Sequence, residues 1–150
     1  MNQMKKYRNS GYQVLLLENW GDLNLADRIL NRYFDSNSIL AAEYSWDALK
    51  WVKDDPIEFA FLFAHRVPLT LGYDICREIL KEDLRSKVTI TGIGGTFSCW
   101  KDAGADYSIS YSDFYGNCSI ATRNYFRSRN LDAFMKDSLG IKPMRKVKFS

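Results

Sequence analysis

The sequence predicts an α/β fold in which five parallel strands form one doubly wound sheet with helices on both faces. Residues 12–18 are a continuous apolar run, as expected for a strand that is covered on both sides. Such runs alternate five times with segments whose apolar residues recur at helical spacing, which favours a parallel sheet. The chain has 150 residues, 46% hydrophobic and 26% charged, which suits one globular domain.

Each predicted element has a local signal. The predicted strands span residues 12–18, 39–42, 59–63, 88–93 and 107–111. Asp22 or Asn24 can cap a first helix that runs to about Phe34, because either side chain accepts hydrogen bonds from free backbone N–H groups. The later helices are predicted over residues 46–53, from Tyr73 onward, from the loop at 94–95 through Trp100, and over residues 118–129. Pro56 ends the second of these five helices, since proline cannot continue a helix.

The chain divides into three predicted regions. Residues 1–11 form a basic, flexible tail, residues 12–130 hold the alternating strands and helices, and residues 131–150 are a C-terminal extension. One face of a short helix in the extension is apolar, at Leu131, Phe134, Met135 and Leu139. Gly140 ends that helix, which we expect to dock on the domain.

The segment over residues 58–80 has the outline of a known family. An apolar strand leads into a loop with Pro68 and Gly72, and a helix then starts at Tyr73-Asp74. This outline resembles the third strand and following helix of response-regulator receiver domains, which read roughly LLD-x-x-x-P-x-x-x-G-[FY]-[DE]. Three further fragments match the family in the same order, namely Leu17-Glu18-Asn19, Ala48-Leu49 and Gly104-Ala105-Asp106. The resemblance implies a flavodoxin-like architecture.

The resemblance also implies a phosphorylation pocket whose nucleophile is missing. Counting back from Pro68, the phosphoacceptor aspartate of the family falls at Ala64, and a methyl group cannot accept a phosphoryl group. The acidic pair that holds a divalent cation in the family corresponds to Glu18 and Asn19, of which only the first is acidic. A hard cation wants several oxygen ligands, usually with more than one carboxylate. We therefore expect no metal here.

The two remaining groups of the pocket are altered as well. The hydroxyl position of the family falls at Thr91, or at Gly92 if the alignment shifts by one residue. The lysine position falls at Tyr111-Ser112, or at Ser110 after the same shift. We therefore expect a vestigial pocket with no catalytic residue, no metal and no cofactor. Its predicted members are Glu18, Asn19, Ala64, Thr91 and Tyr111.

Two other segments offer alternative chemistry. His65 can in principle accept a phosphoryl group or act as a base, although a loop histidine that follows a strand is the simpler interpretation. The run TGIGG over residues 91–95 lacks both the Lys-Ser/Thr of a Walker motif and the G-x-G-x-x-G spacing. We interpret it as a loop in place of a longer switch segment.

Charge is unevenly distributed along the chain. Residues 123–150 hold eight basic and two acidic residues, a net charge of +6, which leaves −3 for the remainder of a chain whose total is +3. A basic end can contact nucleic acid or an acidic partner, but a solvated tail is the favoured interpretation, so nucleic acid is not the expected partner. The candidate partner-binding residues are Trp20, Trp100, Tyr107 and Lys146.

The predicted location and function follow from these features. Three cysteines without C-x-x-C spacing indicate reduced thiols in the cytoplasm, and neither a membrane span nor a signal peptide is recognisable. The predicted function is a phosphorylation-independent pseudo-receiver that acts as a signalling adaptor through a protein partner, with homodimerisation through the face of the fourth and fifth helices as an option. The alternatives are a nucleic-acid-associated regulator that uses the basic C-terminal tail and, lowest in rank, a small-molecule-binding flavodoxin-like enzyme.

Overall fold

The computed structural model describes residues 13–18, 23–42, 45–54, 57–64, 72–81, 88–116 and 129–144. The strands are β1 (Val14–Leu17), β2 (Ile39–Ala42), β3 (Phe59–Phe63), β4 (Thr89–Ile93) and β5 (Tyr107–Ile109). The α-helices are α1 (Leu23–Leu30), α2 (Ser45–Asp54), α3 (Gly72–Lys81), α4 (Phe97–Ala103), α5 (Tyr111–Tyr115) and α6 (Arg129–Leu139). A single 3-10 turn, Ser36–Ser38, leads into β2. None of the described helices is long and apolar enough to cross a membrane.

The strands form one parallel sheet in the order β2-β1-β3-β4-β5. Phe59 on the central strand β3 is in register with Val14 on β1 and with Thr89 on β4. This confirms the predicted fold class. The direction in which the chain adds strands reverses between β1 and β3, and open parallel sheets form their ligand crevices beside the carboxyl ends of the strands at such a point.

Two apolar clusters cover the two faces of the sheet, because successive side chains of a strand point to opposite faces. On β1, Leu15 and Leu17 join the cluster that includes residues of α2, α3 and α4. Val14 and Leu16 join the other cluster, with residues of α1 and α6. All four side chains have no exposed surface, which explains why β1 reads as an unbroken apolar run.

Several predicted bounds change in the structure. The fifth strand ends at Ile109 rather than at residue 111, because the Ser110 hydroxyl accepts the N–H of Asp113 at 3.0 Å and caps α5. Tyr111 is therefore the first residue of a helix. The first helix is α-helical only to Leu30, and a turn carries the chain on to Phe34. The predicted helix over residues 118–129 lies outside the described residues except for its last residue, where α6 begins, and the 1–11 tail lies outside them as well.

Helix α6 covers the face of the sheet that α1 also covers. Leu131 and Met135 are completely buried in that cluster, and Phe134 and Leu139 pack against it half-buried. The amphipathic helix expected after residue 130 is therefore part of the covering layer of the core. Gly140 ends it with a φ of 70°, a left-handed conformation that favours glycine. The division into a domain and an extension at residue 130 stays a prediction.

A polar cluster ties α6 to the end of α1. The Asp132 carboxylate accepts hydrogen bonds from Nε and Nη2 of Arg32, each at 3.1 Å, and a third from the hydroxyl of Tyr33. Paired Arg–carboxylate contacts of this kind are among the stronger hydrogen bonds in proteins. Burial of the Tyr33 ring, and then its hydrogen bond to Asp132, raise the pKa of Tyr33 above its ordinary value.

The raised pKa of Tyr33 makes the stability of the fold depend on pH in the alkaline range. The folded chain holds the phenolic proton more tightly than the unfolded chain, so this stabilisation is complete below the ordinary tyrosine pKa of about 10 and is lost as pH rises above it. We expect Tyr33→Phe to lower the free energy of unfolding by about 1–3 kcal/mol at neutral pH, through loss of the hydrogen bond to a charged group. In urea unfolding, the difference in unfolding free energy between the native chain and Tyr33→Phe should shrink above about pH 10. A difference that stays constant would contradict the raised pKa of Tyr33. Tyr107→Phe, at a tyrosine that is 37% exposed, is the matched control.

Candidate functional site

The carboxyl ends of the central strands meet at one edge of the sheet. Glu18 follows β1, Ala64 follows β3 and Gly94 follows β4. Backbone hydrogen bonds hold these ends in place, since the N–H of Ala64 donates to Ile93 and the N–H of Gly94 donates to Ile109, both at 2.8 Å. This edge is where the crevice of an open parallel sheet forms, and we call it the carboxyl edge.

Ala64 occupies the position directly after β3, and its methyl group is almost completely buried. A Cβ built on Gly95 would lie 2.8 Å from the Cβ of Ala64, closer than carbon atoms of neighbouring residues approach each other. The loop after β4 therefore packs tightly over Ala64. At this position the carboxyl edge presents a methyl group under a covering loop and no nucleophilic atom.

Aromatic rings hold the loop at Gly94 and Gly95. A Cβ at Gly94 would overlap the ring of Tyr111, and one at Gly95 would overlap the hydroxyl of Tyr73. That hydroxyl accepts the backbone N–H of Thr96 at 3.3 Å. Both glycines have positive φ, 80° and 65°, which other residues adopt at a cost. Glycine is thus required twice over, for its backbone conformation and for the rings that press against it.

Trp100 supports the same loop from inside the protein. Its indole N–H donates to the carbonyl oxygen of Gly94 at 2.8 Å, and a Cβ on Gly92 would overlap its ring. The ring of Tyr73 packs on the indole with centroids 4.5 Å apart. Only 1% of Trp100 is exposed, so Trp100 is a core residue and not the partner-contacting residue that the sequence predicted. The missing side chain at Gly92 makes room for the indole in the core.

The Glu18 carboxyl is engaged within the protein. Glu18 has no exposed surface, and its Oε2 accepts the hydroxyl proton of Tyr115 at 2.9 Å. Tyr115 reaches Glu18 because the short helix α5 starts directly after β5, at the Ser110 cap. In the receiver pattern a lysine is expected just after the fifth strand. Here the residue after β5 is Ser110, and the side chain that reaches the acidic group is a phenol.

A group of rings fills the space between β3 and α5. The ring centroid of Phe63 lies 5.2 Å from that of Phe114, 5.9 Å from that of Tyr111 and 5.9 Å from that of Tyr115. Tyr111 and Tyr115 stack on each other at 6.1 Å. Aromatic pairs at these separations contribute about 0.5–1.5 kcal/mol each beyond the burial of their area. The side of the carboxyl edge next to α5 is therefore a packed apolar structure.

Thr91 does not lie at the carboxyl edge. It pairs with Phe61 in the middle of β4, two residues before the strand ends, and faces the α1 and α6 side. Its hydroxyl oxygen is buried, with no hydrogen-bond partner among the described residues. The residue that follows β4 at the edge is Gly94, so neither Thr91 nor Gly92 supplies a hydroxyl there. Asn19, a member of the predicted pocket, lies outside the described residues. His65, the alternative phosphoryl acceptor, also lies outside them.

The described side chains at this edge do not fit a divalent cation. Glu18 brings one carboxyl, which already binds Tyr115, and the side chain of Ala64 brings no ligand atom. No group of three His, Cys, Asp or Glu side chains arranged to hold a metal occurs in the part of the chain that the structure describes. Because Mg²⁺ and Ca²⁺ require several oxygen ligands, we assign no step at this edge to a metal ion.

The other candidate partner residues lie apart from this edge or beyond the described chain. Tyr107 is 37% exposed on β5, and its ring meets Phe134 of α6 edge-on at 5.8 Å. Trp20 and Lys146 lie outside the described residues. Phe97, which the sequence analysis did not single out, is 69% exposed at the start of α4.

Two important residues escaped the sequence analysis. Tyr73 was noted only as the start of a helix, and Tyr115 was not considered, although these side chains bind the Thr96 backbone and the Glu18 carboxyl. One signal was available. The spacing Ser110-x-x-Asp113 is a helix-start pattern, and it would have placed a helix, not a strand, at Tyr111.

Comparison with known proteins identifies the fold. No protein-family model and no curated protein sequence matches the chain. Among solved structures, a CheY-like response regulator receiver domain protein from Methanospirillum hungatei JF-1 has a TM-score of 0.61 at 16% identity, covering 87% of this chain and 94% of that one. The receiver domain of NtrX from Brucella abortus has a TM-score of 0.60 at 16% identity, covering 85% and 98%.

A third similar structure is a complex. It is the co-crystal structure of the Saccharomyces cerevisiae histidine phosphotransfer signaling protein Ypd1 and the receiver domain of its downstream response regulator Ssk1, with a TM-score of 0.56 at 12% identity. The match covers 75% of this chain and 83% of that one. Identities this low establish a shared fold, and the fold is that of CheY-like receiver domains.

The contact between Tyr115 and Glu18 can be tested through stability. Tyr115→Phe keeps the ring and removes the hydroxyl that donates to a completely buried carboxyl. We expect the free energy of unfolding to fall by about 1–3 kcal/mol, the cost of weakening the hydrogen bonding of a buried polar group. Urea unfolding measures the change, with Tyr107→Phe as the control at a tyrosine that is 37% exposed. Equal effects of the two substitutions would rule out a structural role for the hydrogen bond.

Proposed function

We propose that the chain is a degenerate receiver domain of two-component-type signalling, which regulates a protein partner without being phosphorylated. The observation that carries this proposal is the packing of the loop after β4 on Ala64. Ala64 stands where the fold would present a phosphoacceptor, and the loop of Gly94 and Gly95 packs over it under the rings of Tyr73 and Tyr111. Within the described residues, position 64 offers no nucleophilic side chain, and the loop lies directly against its methyl group.

The charge pattern of the edge supports the same conclusion. Stabilising a phosphoryl group takes positive charge or a metal ion near its oxygens. The described residues after β5, from Ser110 to Tyr115, contain no lysine or arginine, and the Glu18 carboxyl binds a phenol. The residues at this edge thus favour aromatic packing over anion binding.

Without a phosphorylation trigger, a signal has to enter as a binding event. A ligand or partner shifts a conformational equilibrium only by its difference in affinity for the two states. The chain would then act as an adaptor, and its effect on the partner would depend on its abundance and its binding contacts. No catalytic activity is part of the proposal. We also propose that it acts in the cytoplasm, which the free thiols of Cys76 and Cys99 support.

We propose that a partner binds the surface formed by α4 and by β5, the outermost strand on that side of the sheet. Phe97 on α4 and Tyr107 on β5 are exposed aromatic side chains, and aromatic side chains are enriched among the residues that dominate binding energy. A second copy of the chain is an alternative partner for the same surface. The receiver-fold neighbour that was crystallised with a histidine phosphotransfer protein supports the idea that this fold serves protein–protein contacts.

A nucleic-acid-associated regulator is the second candidate. The observation in its favour is the net charge of +6 over residues 123–150. Contacts of basic side chains with phosphates lose affinity steeply as salt rises, which distinguishes this candidate from an apolar protein interface.

Phosphorylation independence can be tested directly. The purified chain, incubated with Mg²⁺ and either acetyl phosphate or phosphoramidate, should gain no phosphoryl mass, whereas a conventional receiver domain in the same reaction should gain one. Ala64→Asp should also stay unmodified, because a carboxylate there meets the covering loop, and the described residues from Ser110 to Tyr115 offer it no lysine or arginine. A stable adduct on the native chain, mapped by peptide mass spectrometry to His65, Ser110 or Tyr111, would overturn the proposal. If Ala64→Asp gained a phosphoryl group and the native chain did not, the edge would be accessible and only the nucleophile would be missing.

Partner capture from the source cell separates the two candidates. We expect the tagged full-length chain to retain the same proteins after nuclease treatment and after the basic tail is neutralised by Arg145→Gln, Lys146→Gln and Lys148→Gln. Phe97→Ser should reduce capture at least tenfold, since an exposed anchor is worth about 1.4 kcal/mol or more. Trp46→Ser is the matched control, at a 54% exposed ring on α2. Capture that needs the basic tail and disappears with nuclease would establish the nucleic-acid candidate instead.

A further inference from the structure

The ring of Phe97, an anchor of the proposed partner surface, stands on a helix of only seven residues. Phe97 is the first residue of α4 and is 69% exposed. Helices this short gain little stability from their own hydrogen bonds, so they depend on contacts with other parts of the protein. The direction in which the Phe97 ring points therefore depends on what holds the first turn of α4.

Thr96 caps that first turn. Its Oγ1 accepts the backbone N–H of Cys99 at 3.2 Å, and its carbonyl oxygen accepts the backbone N–H of Trp100, also at 3.2 Å. A capping hydroxyl satisfies one of the backbone donors that a helix leaves free at its start. Because Thr96 directly precedes Phe97, the position of Thr96 sets the position of Phe97.

Thr96 is itself held by α3, through the hydroxyl of Tyr73. This hydroxyl accepts the backbone N–H of Thr96 at 3.3 Å. The ring of Tyr73 is fixed in turn, since it packs on the indole of the buried Trp100 with centroids 4.5 Å apart. The hydroxyl also lies against the loop, because a Cβ on Gly95 would overlap it. The Tyr73 hydroxyl is thus the point at which α3, the glycine loop and the start of α4 meet.

We propose that Tyr73 is a positioning residue for the partner surface: its hydroxyl, through Thr96, holds the ring of Phe97 in the orientation that a partner binds. This inference rests on the proposed partner surface of α4 and β5. A side chain that already stands in its bound position loses less conformational freedom when a partner arrives, and the complex is tighter for that reason. Tyr73 has this effect without contacting the partner.

The same contacts link the partner surface to the loop over Ala64. Thr96 follows Gly95, whose backbone packs against the methyl group of Ala64. A partner that binds Phe97 more tightly in this arrangement also stabilises the closed loop, because such a coupling between two equilibria is reciprocal. An event that opens the loop would release the first turn of α4 and weaken the partner contact. The adaptor thereby gains a route of regulation that needs no phosphoryl group.

The first measurement follows hydrogen exchange of backbone amides by NMR in the full-length chain. Tyr73→Phe keeps the ring and removes the acceptor of the Thr96 N–H. The Thr96 amide should then exchange about threefold faster relative to the Gly94 amide, whose N–H donates to Ile109. Tyr33→Phe is the matched control, since it removes a hydroxyl bound on the other face of the sheet and should leave this ratio unchanged. An unchanged ratio in Tyr73→Phe would overturn the proposal.

The second measurement is partner capture from the source cell by the tagged full-length chain. Tyr73→Phe should reduce capture about threefold, the value of one neutral hydrogen bond. Tyr33→Phe should capture as the native chain does, although it lowers the free energy of unfolding, because its hydroxyl does not hold the start of α4. The comparison of the two variants separates positioning of the partner surface from general stability.

A glycine substitution tests the link between the loop and the partner surface. Gly95→Ala should reduce capture as strongly as Phe97→Ser does, because the new Cβ would overlap the hydroxyl of Tyr73 and displace the loop. Gly140→Ala is the matched control, since φ is also positive there, at 70° against 65° at Gly95, and a Cβ meets nothing within 4 Å. Native-like capture by Gly95→Ala would contradict the link.

The outcomes distinguish a failure of the positioning role from a failure of the proposed adaptor function. Loss of capture in Phe97→Ser but not in Tyr73→Phe would overturn the positioning role and leave the partner surface in place. Equal losses in Tyr73→Phe and Tyr33→Phe would assign the loss to general stability and overturn the positioning role as well. Capture that Phe97→Ser leaves unchanged would overturn the partner surface, and the positioning role with it.

Discussion

The indole of Trp100 is the contact on which the carboxyl edge of the sheet depends. It fills the space over Gly92 in the middle of β4 and donates its N–H to the carbonyl oxygen of Gly94. This holds α4 against the sheet and brings the loop after β4 down over Ala64. Tyr73 packs on the same indole, so α3 is tied to the same point. A core side chain thereby determines the shape of the surface where the fold would form its crevice.

The carboxyl edge consequently has a different physical character from a site for a small charged group. Its acidic residue, Glu18, is paired with Tyr115 across 97 positions of sequence, and the rings around Phe63 exclude solvent from the space beside it. Closely packed side chains have few alternative arrangements, so the described part of this edge is suited to hold one conformation.

The two edges of the sheet differ in chemistry because different elements cover them. At the carboxyl edge, the rings of Tyr73 and Tyr111 pack against the glycine loop, while at the opposite, amino edge the turn after α1 presents the polar residues Asn31, Asp35 and Ser36. The Asp132 contact with Arg32 joins α6 to the turn that follows α1.

The sequence by itself determined the fold class, the order of strands and helices, and the position of Ala64 directly after the third strand. These depend on local signals, namely apolar period, turn residues and spacing within one strand and its loop. Thr91 and Trp100 were misplaced, and Tyr111 was assigned to a strand instead of a helix, because their environments depend on distant residues. A shift of a few positions moves a side chain such as Thr91 away from the edge, the room for Trp100 exists only opposite Gly92, and the helix that contains Tyr111 brings Tyr115 to Glu18. Packing between distant segments decided these, since burial and hydrogen-bond partners exist only once the chain has folded.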